Sequence, residues 1–458
     1  MDHLLRNSET GGPGWLLPPR LPPNLLQKST MLPNAVLFLH LGEGIYLLHR
    51  VRSLMQRLLA TTMMLLMMTA ALAGCAGDDS GMTQEDVDTA RAEGKAEGIA
   101  EATPVSTLDT IIARGSMKCG VKESQYGMGY LDSATGVRSG LDISYCRAVA
   151  AALGLNADTD VEYIPASGSD RFEKLAAGTI DVLIRTTTWT TSRDADLNAD
   201  FAGMNFYDGQ GILVRSDAFA YGTGSADQLA GANICVGVGT TTEGNLQDWY
   251  ASREISFETV GTPDATESVE KLKAGTCDAF TGDMSAMVAR KWLLDNDADW
   301  AATESHSDLW IAKELMSKEP LGAATRDMDS DFKDVVAWVW YGMITAEEMG
   351  VTSSNYAAKA TEACAVNDAG SATNPGMCRL LTENLGLGTA TNMLSGTWMQ
   401  DVLAASGNYG EAYDDAFCDG TYDGVSGSDA MVDCLISRAG TYNALASEGG
   451  LQYAPPMR

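Results

Sequence analysis

Hydroxyl and basic side chains cluster immediately after an apolar segment in the first half of the chain. Residues 180–185 are apolar enough for a buried strand that ends at Arg185, and a run of threonines and then Arg193 follow. In α/β proteins ligands bind at the carboxyl ends of parallel strands. Arg193 could hold a carboxylate in a two-pronged hydrogen bond, and strand alternation would place Thr186 and Thr188 on one face. The alternative is a solvated loop with a helix N-cap.

Two further junctions could bind groups of opposite charge. One predicted strand runs into Thr240 and Thr241, which open a helix whose free N–H groups favour an anion. This is not a dinucleotide fingerprint, because Thr242 stands at the third glycine position; a plain capping box is the alternative. Asp283 follows another predicted strand and can pair with an ammonium group, unless it only caps the next helix. Together the junctions complement a zwitterionic α-amino acid.

The elements that must position these groups alternate between strands and helices. Strands are predicted over residues 117–121, 161–165, 180–185, 211–215, 234–238, 256–260, 278–281 and 321–325. Helices are predicted over residues 142–153, 169–177, 243–252, 265–274, 285–295 and 332–349. Such alternation predicts mostly parallel α/β sheets. Residues 173–181 recur at 270–278 with seven of nine positions identical; this indicates two similar lobes or convergence on a common helix–glycine–strand junction.

Composition excludes several classes of function. The 458 residues contain 31 Lys plus Arg against 61 Asp plus Glu, a net charge of -30, so nucleic acid is not an expected partner. Three of the four histidines, at positions 3, 40 and 49, precede a predicted export cleavage site and leave only His306 in the mature chain. No metal or cofactor is therefore expected, and histidine-activated nucleophilic catalysis is disfavoured.

An export signal is predicted over residues 55–74. A short basic segment precedes an uncharged apolar run that is too short for a membrane span of about 20 residues. The run ends at Leu-Ala-Gly-Cys, which resembles a bacterial lipobox and predicts lipidation of Cys75. Ordinary secretion and a buried core helix are the alternatives. Residues 1–54 are expected to be dispensable, and residues 75–104 to form a flexible tether.

The remaining eight cysteines can pair completely in an oxidising compartment. The sequence has no C-x-x-C motif, and sequence alone leaves many connectivities open. Proximity in the inferred fold favours four disulfides, and free buried thiols are the alternative. The favoured pairs are Cys119–Cys146, Cys235–Cys277, Cys364–Cys378 and Cys418–Cys434.

A series of short segments between residues 107 and 348, with one more near the C-terminus, resembles a known family. The segments are Gly-Leu-Asp-Ile at 140–143 and residues 145–152, 170–172, 187–190, 192–194, 205–211, 239–243, 317–322 and 449–458. They resemble the amino-acid-binding proteins of ABC importers, solute-binding protein family three, and most closely the general L-amino-acid-binding branch. The resemblance implies that Arg193 holds the ligand α-carboxylate with help from Thr241. It also implies that Asp283, with Thr188, holds the α-ammonium group.

Two departures limit what the resemblance implies. An aromatic residue that often stacks on the ligand side chain would fall near residues 167–168, where this chain is small and should leave space. The loop over residues 122–130 aligns poorly, so Glu123 and Tyr126 are candidate side-chain contacts only. The cysteine-bearing insertions within residues 364–434 are not typical of the family.

The implied fold is α/β, a two-lobed periplasmic-binding-protein (type II, Venus-flytrap) fold with a C-terminal helical extension. Lobe 1 is expected to comprise residues 105–210 and a return segment over residues 317–350. Lobe 2 is expected over residues 211–316. Residues 351–458 are expected to form an α-helical extension packed on lobe 1.

The implied function is extracytoplasmic capture of several polar L-amino acids and their delivery to an ABC importer permease. The protein would be a lipid-anchored monomer in the periplasm or on the outer face of the cell membrane. An amino-acid-sensing module of a signalling system is one alternative. A dehydratase on the same fold is another, but it would need a general acid or base in the cleft, and His306 lies outside the matching segments.

Overall fold

The computed structural model describes residues 89, 91, 105–422 and 433–458. The chain divides into two units, residues 1–97 and 98–458, and all that follows concerns the second. The predicted signal segment, Cys75 and nearly all of the tether lie outside the described residues. Among those residues, none of the helices is long and apolar enough to cross a membrane.

Twelve strands form two sheets within the described part of the chain. In chain order they are β1 Met117–Val121, β2 Ser124–Gln125, β3 Gly129–Leu131, β4 Arg138–Ser139, β5 Val161–Pro165, β6 Val182–Leu183, β7 Ala199–Arg215, β8 Asn233–Gly237, β9 Glu258–Thr262, β10 Ala279–Asp283, β11 Leu309–Ile311 and β12 Lys318–Arg326. The large sheet has the order β5-β1-β6-β12-β7-β10-β8-β9, with β11 also on β7. Strands β2 to β4 form a separate small sheet.

Helices cover the sheet and continue beyond it. They are α1 Thr107–Arg114, α2 Leu141–Ala152, α3 Arg171–Ala176, α4 Thr191–Asp196, α5 Thr241–Ala251, α6 Ala265–Lys273, α7 Met284–Asp295, α8 Ala298–Ala301, α9 Ser330–Glu348, α10 Tyr356–Cys364, α11 Pro375–Thr382, α12 Trp398–Ser406 and α13 Tyr409–Phe417. The last four lie in the region for which the sequence predicts a helical extension.

Strand β7 is the element that both lobes share. Its first part pairs antiparallel with β12, from Ala199 to Gly209, and its second part pairs antiparallel with β10, from Gln210 to Val214. The parallel pairs are those of β1 with β5 and β6, and of β8 with β9 and β10. The sheet is therefore mixed, so the prediction of mostly parallel pairing was wrong for the crossing strands.

Most predicted elements have nearly the predicted bounds, and the exceptions have physical reasons. The strand predicted over residues 180–185 is regular only at Val182–Leu183. The strand predicted to begin at residue 211 begins at Ala199, because the polar and glycine-rich segment before residue 211 pairs with β12. The small sheet of β2 to β4 carries too few residues for a periodic signal and was missed.

The C-terminal extension packs on lobe 1, as expected. The apolar residues of α12 and α13 share one core with those of α2 and α9. A buried ion pair between Glu347 of α9 and Arg438 joins the last part of the chain to this core. Three hydrogen bonds also reach the edge of β7 that β12 leaves open. Asn443 donates to and accepts from the backbone of Tyr207, and Gln452 donates to the carbonyl of Asn205.

The structure contains four disulfides with the connectivity favoured from the sequence. Cys119–Cys146 joins β1 to α2, and Cys235–Cys277 joins β8 to the end of the loop before β10. Cys364–Cys378 and Cys418–Cys434 lie in the extension. Each lobe therefore has its own crosslink between a strand and a neighbouring segment.

Candidate ligand-binding site

A cavity of about 320 Å³ lies between the two lobes. Lobe 1 contributes the ends of β1 and β5, the start of α3 and the segment from residue 185 to Arg193. Lobe 2 contributes the junctions β8–α5, β9–α6 and β10–α7. The cavity is therefore formed where strands end and helices begin, which is where the sequence places the candidate contacts.

Arg193 lies on the lobe 1 wall and is 7% exposed. Thr190 caps α4 by accepting a hydrogen bond from the Arg193 N–H, so the predicted N-cap is present together with the cavity-lining arginine. The Arg193 side chain is held by a bond from Nη1 to the carbonyl of Thr188 at 2.8 Å. Burial lowers the pKa of Arg193, while Glu319 and Asp283 raise it. Its remaining donor capacity is available to an anion.

Thr186 and Thr188 both line the cavity, although not for the reason expected from strand alternation. Beyond β6 the chain is irregular, and Thr186 has a φ of 37°, a strained value for a β-branched residue. Its hydroxyl is buried and has no hydrogen-bond partner among the described residues. Its N–H donates to the carboxylate of Asp142 at 3.1 Å, and this contact helps to hold the turn.

Asp283 lies on the lobe 2 wall, between β10 and α7. Its side chain makes no capping hydrogen bond to α7. The alternative that Asp283 serves only as a helix cap was therefore wrong. The carboxylate is 11% exposed, lines the cavity, and lies 3.9 Å from Nζ of Lys122 across the cleft. Asp283 therefore offers a carboxylate to a cationic group bound between the lobes.

Thr240 and Thr241 have different surroundings although they are neighbours. Thr240 caps α5, accepting from the N–H of Glu243, and its hydroxyl donates to the carbonyl of Gly237 at 2.7 Å. The alternative of a capping role is therefore realised for Thr240, which also lines the cavity. The Thr241 hydroxyl points across the cleft, 3.3 Å from that of Thr188. The two lobes thus touch at their predicted contact residues.

Glu319 of β12 is a residue that sequence reasoning missed. It is completely buried, and its carboxylate accepts from Thr188 at 2.5 Å and from Thr241 at 2.8 Å. Asn245 and Ser317 donate to its other oxygen. One carboxylate therefore receives bonds from both lobes and from the crossing segment. Glu319 stands directly before the apolar residues 320–324 of β12, and an acid next to a buried strand segment is the signal that could have indicated it.

Glu123 and Tyr126 do not both lie at the cavity with the other predicted contacts. Glu123 lines the cavity rim but forms an ion pair with Arg138. Tyr126 is not among the cavity-lining residues; its ring stacks on Trp292 of lobe 2 at a centroid distance of 5.3 Å. Nearby, Gln125 donates to Ser285 of lobe 2 at 3.1 Å. Tyr126 therefore contributes to the contact between the lobes.

The small residues at 167–168 do more than leave space. A Cβ added at Gly168 would lie 2.9 Å from the carbonyl oxygen of Val238 in lobe 2. The glycine allows the two lobes to approach each other there, which corrects the expectation that these residues only enlarge the side-chain subsite. Ser167 lines the cavity, and its N–H donates to Asp170 at 2.7 Å.

Five cavity-lining cations were not among the candidate contacts: Lys122, Arg171, Lys174, Arg185 and Arg290. Burial, together with repulsion from Arg185, lowers the pKa of Lys122 to about 7. Burial lowers the pKa of Arg290 to about 10. Arg290 follows Asp283 by seven residues, two helical turns along one face, and this spacing was the available signal. His306 packs against Trp300 and is not part of the cavity wall.

Two lobes connected by shared strands, with a ligand-sized cavity between them, define the class of type II solute-binding proteins. Comparison with known sequences gives the family. The chain belongs to the bacterial extracellular solute-binding proteins, family 3, whose profile matches residues 117–250.

Several relatives match most of this chain. The glutamate/glutamine/aspartate/asparagine-binding protein BztA of Rhodobacter capsulatus is 38% identical over 360 residues, which cover 79% of this chain and 96% of the relative. The general L-amino acid-binding periplasmic protein AapJ of Rhizobium johnstonii is 35% identical, with coverages of 78% and 95%. A solved structure of a periplasmic binding protein from Brucella ovis with glutathione bound is 35% identical, with a TM-score of 0.66 and coverages of 78% and 100%.

Proposed function

We propose that the protein captures L-α-amino acids outside the cytoplasm and delivers them to an ABC importer permease. The observation that carries this proposal is the placement of Arg193 and Asp283 on opposite walls of one cavity. An α-amino acid carries one carboxylate and one ammonium group on the same carbon. A cleft with one guanidinium and one carboxylate, each from a different lobe, complements that pair of charges. The names of BztA and AapJ support the same class of ligand.

Binding requires contacts from both lobes, so the lobes close at the same time as the ligand is bound. Arg193 engages the α-carboxylate with help from the backbone N–H of Thr241, because the Thr241 hydroxyl already donates to Glu319. Asp283 engages the α-ammonium with help from the hydroxyl oxygen of Thr188, which accepts while its hydrogen goes to Glu319. Thr186 and Thr240 provide further hydroxyls on the two walls. The lobes rotate about the crossings near residues 208–211 and 315–320, where β7 and the segment leading into β12 pass between them. Hinge closure about a few crossing residues is typical of such proteins.

The contacts to the α-carbon substituents are shared by all L-amino acids, so the proposed specificity is broad. We expect several polar L-amino acids to bind with submicromolar to micromolar dissociation constants, about -8 kcal/mol or better. D-enantiomers exchange the positions of the side chain and the hydrogen, so they should bind less well. A thermal-shift screen of the twenty L-amino acids with D-amino-acid controls tests breadth; equal responses to both forms would contradict it.

The decisive variant is Arg193→Ala. Losing one partner of a desolvated charge pair costs about 3–5 kcal/mol, so calorimetry should show binding weaker by more than about a hundredfold. Arg147→Ala is the matched control, because Arg147 is on lobe 1 but bonds to the exposed Asp158. Both variants should remain folded by circular dichroism. Near-normal affinity of the Arg193→Ala variant for every amino acid would contradict the proposal.

The proposed cellular setting is a monomer held at the membrane by lipid on Cys75. A single acyl chain binds membranes only marginally, so multiple acylation is implied. Cys75→Ala should release protein from the membrane fraction. Deleting residues 1–54 should leave export intact, as judged by fractionation of cells that express either form. Continued anchoring of the Ala variant, or loss of export on deletion, would contradict this part.

A further inference from the structure

Next to the cavity, the two lobes touch through an aromatic pair. Tyr126 of lobe 1 and Trp292 of lobe 2 stack with their ring centroids 5.3 Å apart and an angle of 25° between the ring planes. Neither ring lines the cavity. Beside this pair, the Gln125 side chain donates to the Ser285 hydroxyl at 3.1 Å, and both residues are buried. The lobes therefore hold each other here through side chains that are not part of the cavity wall.

A short hairpin brings Tyr126 to lobe 2. Strands β2 and β3 pair up to Gln125 and Gly129, so Tyr126 lies in the turn between them. The N–H of Met128 donates to the carbonyl of Gln125 across this turn at 3.1 Å. The Tyr130 ring packs edge-on against Tyr126 at a centroid distance of 5.4 Å. The position of Tyr126 is therefore set by the hairpin turn and by a neighbouring ring of its own lobe.

The hairpin turn packs against the C-terminal extension at Gly127. This glycine has a φ of 82°, and a Cβ added to it would overlap the ring of Phe417 in α13. The ring of Phe417 therefore lies directly against the backbone of the turn. Phe417 is 2% exposed and packs against Tyr413 of the same helix and Phe206 of β7. The extension thus supports the turn that presents Tyr126 to lobe 2.

Contacts that exist only when the lobes are together stabilise the closed form. When the lobes open, the rings of Tyr126 and Trp292 separate, so their stacking contributes to the closed form alone. A ligand that needs both lobes has an apparent dissociation constant that rises as the closed fraction falls. Because neither ring lines the cavity, this effect is the same for every ligand. A direct contact with the ligand side chain would instead differ from one amino acid to the next.

We propose that Tyr126 and Trp292 form a latch that stabilises the closed form, and that Phe417 of the extension positions Tyr126 for it. The inference rests on the proposed function, and it assigns the C-terminal extension a role in ligand capture. Tyr126, predicted from the sequence as a ligand contact, is then a positioning residue that acts without touching the ligand. Phe417 acts one step further away, through the turn at Gly127.

A double-mutant cycle tests the latch by titration calorimetry with L-glutamine, L-asparagine and L-glutamate. Tyr126→Leu and Trp292→Leu should each weaken binding of all three ligands by one common factor of about two- to tenfold, the range that stacked aromatic pairs are worth. The double variant should bind within about twofold of either single variant, because the pair is already lost. Tyr221→Leu is the matched control and should bind normally, because the 60% exposed Tyr221 contacts Trp310 within lobe 2.

Phe417→Leu tests the role of the extension. This change removes the ring that lies against the turn but keeps an apolar side chain in the core. The melting temperature should fall with or without Tyr126, whereas the ligand affinity should fall only where Tyr126 is present. Gly127→Ala is the second variant, with the same expectation for affinity. Unchanged affinity in both variants, or an equal loss in the Tyr126→Leu background, would overturn the role of Phe417.

Two calorimetric results would overturn the latch: additive losses in the double variant, and losses that differ among the three ligands. Small-angle X-ray scattering gives a second readout that needs no ligand. The radius of gyration of the ligand-free protein should be larger in Tyr126→Leu and Trp292→Leu than in the unaltered protein and in Tyr221→Leu. Equal radii would also overturn the latch. Binding of no amino acid by the unaltered protein would overturn the proposed function, and the scattering comparison would still decide the latch.

Discussion

The ion pair of Glu347 and Arg438 should be the largest single side-chain contribution that ties the C-terminal region to lobe 1. Both side chains are 0% exposed. Arg438 donates from Nη1 to the Glu347 carboxylate at 3.0 Å, and a second bond runs in parallel from Nη2. Glu347→Ala would leave a buried guanidinium without its counter-charge, a loss that costs about 3–5 kcal/mol. We expect the free energy of unfolding to fall by that amount.

Two comparisons isolate the cause. Asp295→Ala removes a carboxylate from a surface ion pair with Lys291, in which the two side chains are 33% and 43% exposed, so it should cost less than about 1 kcal/mol. The double variant Glu347→Met/Arg438→Met leaves no buried charge without a partner and should be more stable than Glu347→Ala. That ordering follows from desolvation of an unpaired charge and not from loss of packing volume.

The measurement is urea denaturation at pH 7 with the disulfides intact, followed by tryptophan fluorescence and by far-ultraviolet circular dichroism. Coincidence of the two signals supports a two-state free energy. The reasoning is refuted if Glu347→Ala is no less stable than Asp295→Ala. It is also refuted if the double variant Glu347→Met/Arg438→Met is no more stable than Glu347→Ala.

Three further outcomes follow from the same structure. Burial and repulsion from Asp283 raise the pKa of Asp208 to about 7. The contribution of Asp208 to the free energy of unfolding is therefore complete below about pH 4 and is lost as the pH rises through about 7. Asp208→Asn should make the free energy of unfolding, measured with urea at pH 5 and 7.5, decline less between these two pH values. Glu319→Gln should weaken ligand binding about tenfold by calorimetry and raise the radius of gyration of the ligand-free protein in X-ray scattering, since charge-assisted bonds to both lobes are worth about 1.5–3 kcal/mol each. Replacing Cys235 and Cys277 by Ala should cost about 3–4 kcal/mol in the unfolding free energy, and reductant should then have a smaller effect on stability.

The parts of the site that sequence reasoning located share one property: each lies next to a strand end. Arg193, Thr241 and Asp283 follow apolar runs that predict strands, so their positions come from local pattern alone. Most of the longer helices and strands of both lobes were predictable for the same reason. The spacing and number of apolar residues that predict an element are properties of a few consecutive residues.

The parts that were missed depend on contacts between distant segments. Arg290 reaches the cavity from within a helix, and Glu319 receives bonds from residues 78 and 131 positions away in the sequence. Thr186 was predicted as a contact, but it lines the cavity through an irregular turn and not by strand alternation. Tyr126, taken as a candidate ligand contact, stacks on the opposite lobe. Such outcomes are decided by packing across the cleft, which a linear pattern does not contain.

The bonds from Asn443 and Gln452 to the open edge of β7 have a consequence for how the chain is made. Synthesis proceeds from the N-terminus, so β7 is complete long before residues 443–458 leave the ribosome. Until then the backbone of Asn205 and Tyr207 is an unpaired strand edge, the kind of surface on which chains associate wrongly. A chain interrupted before Asn443 would keep that edge open permanently. Residues 443–458 thus cover an edge that would otherwise stay open, and chains that lack them should aggregate more readily.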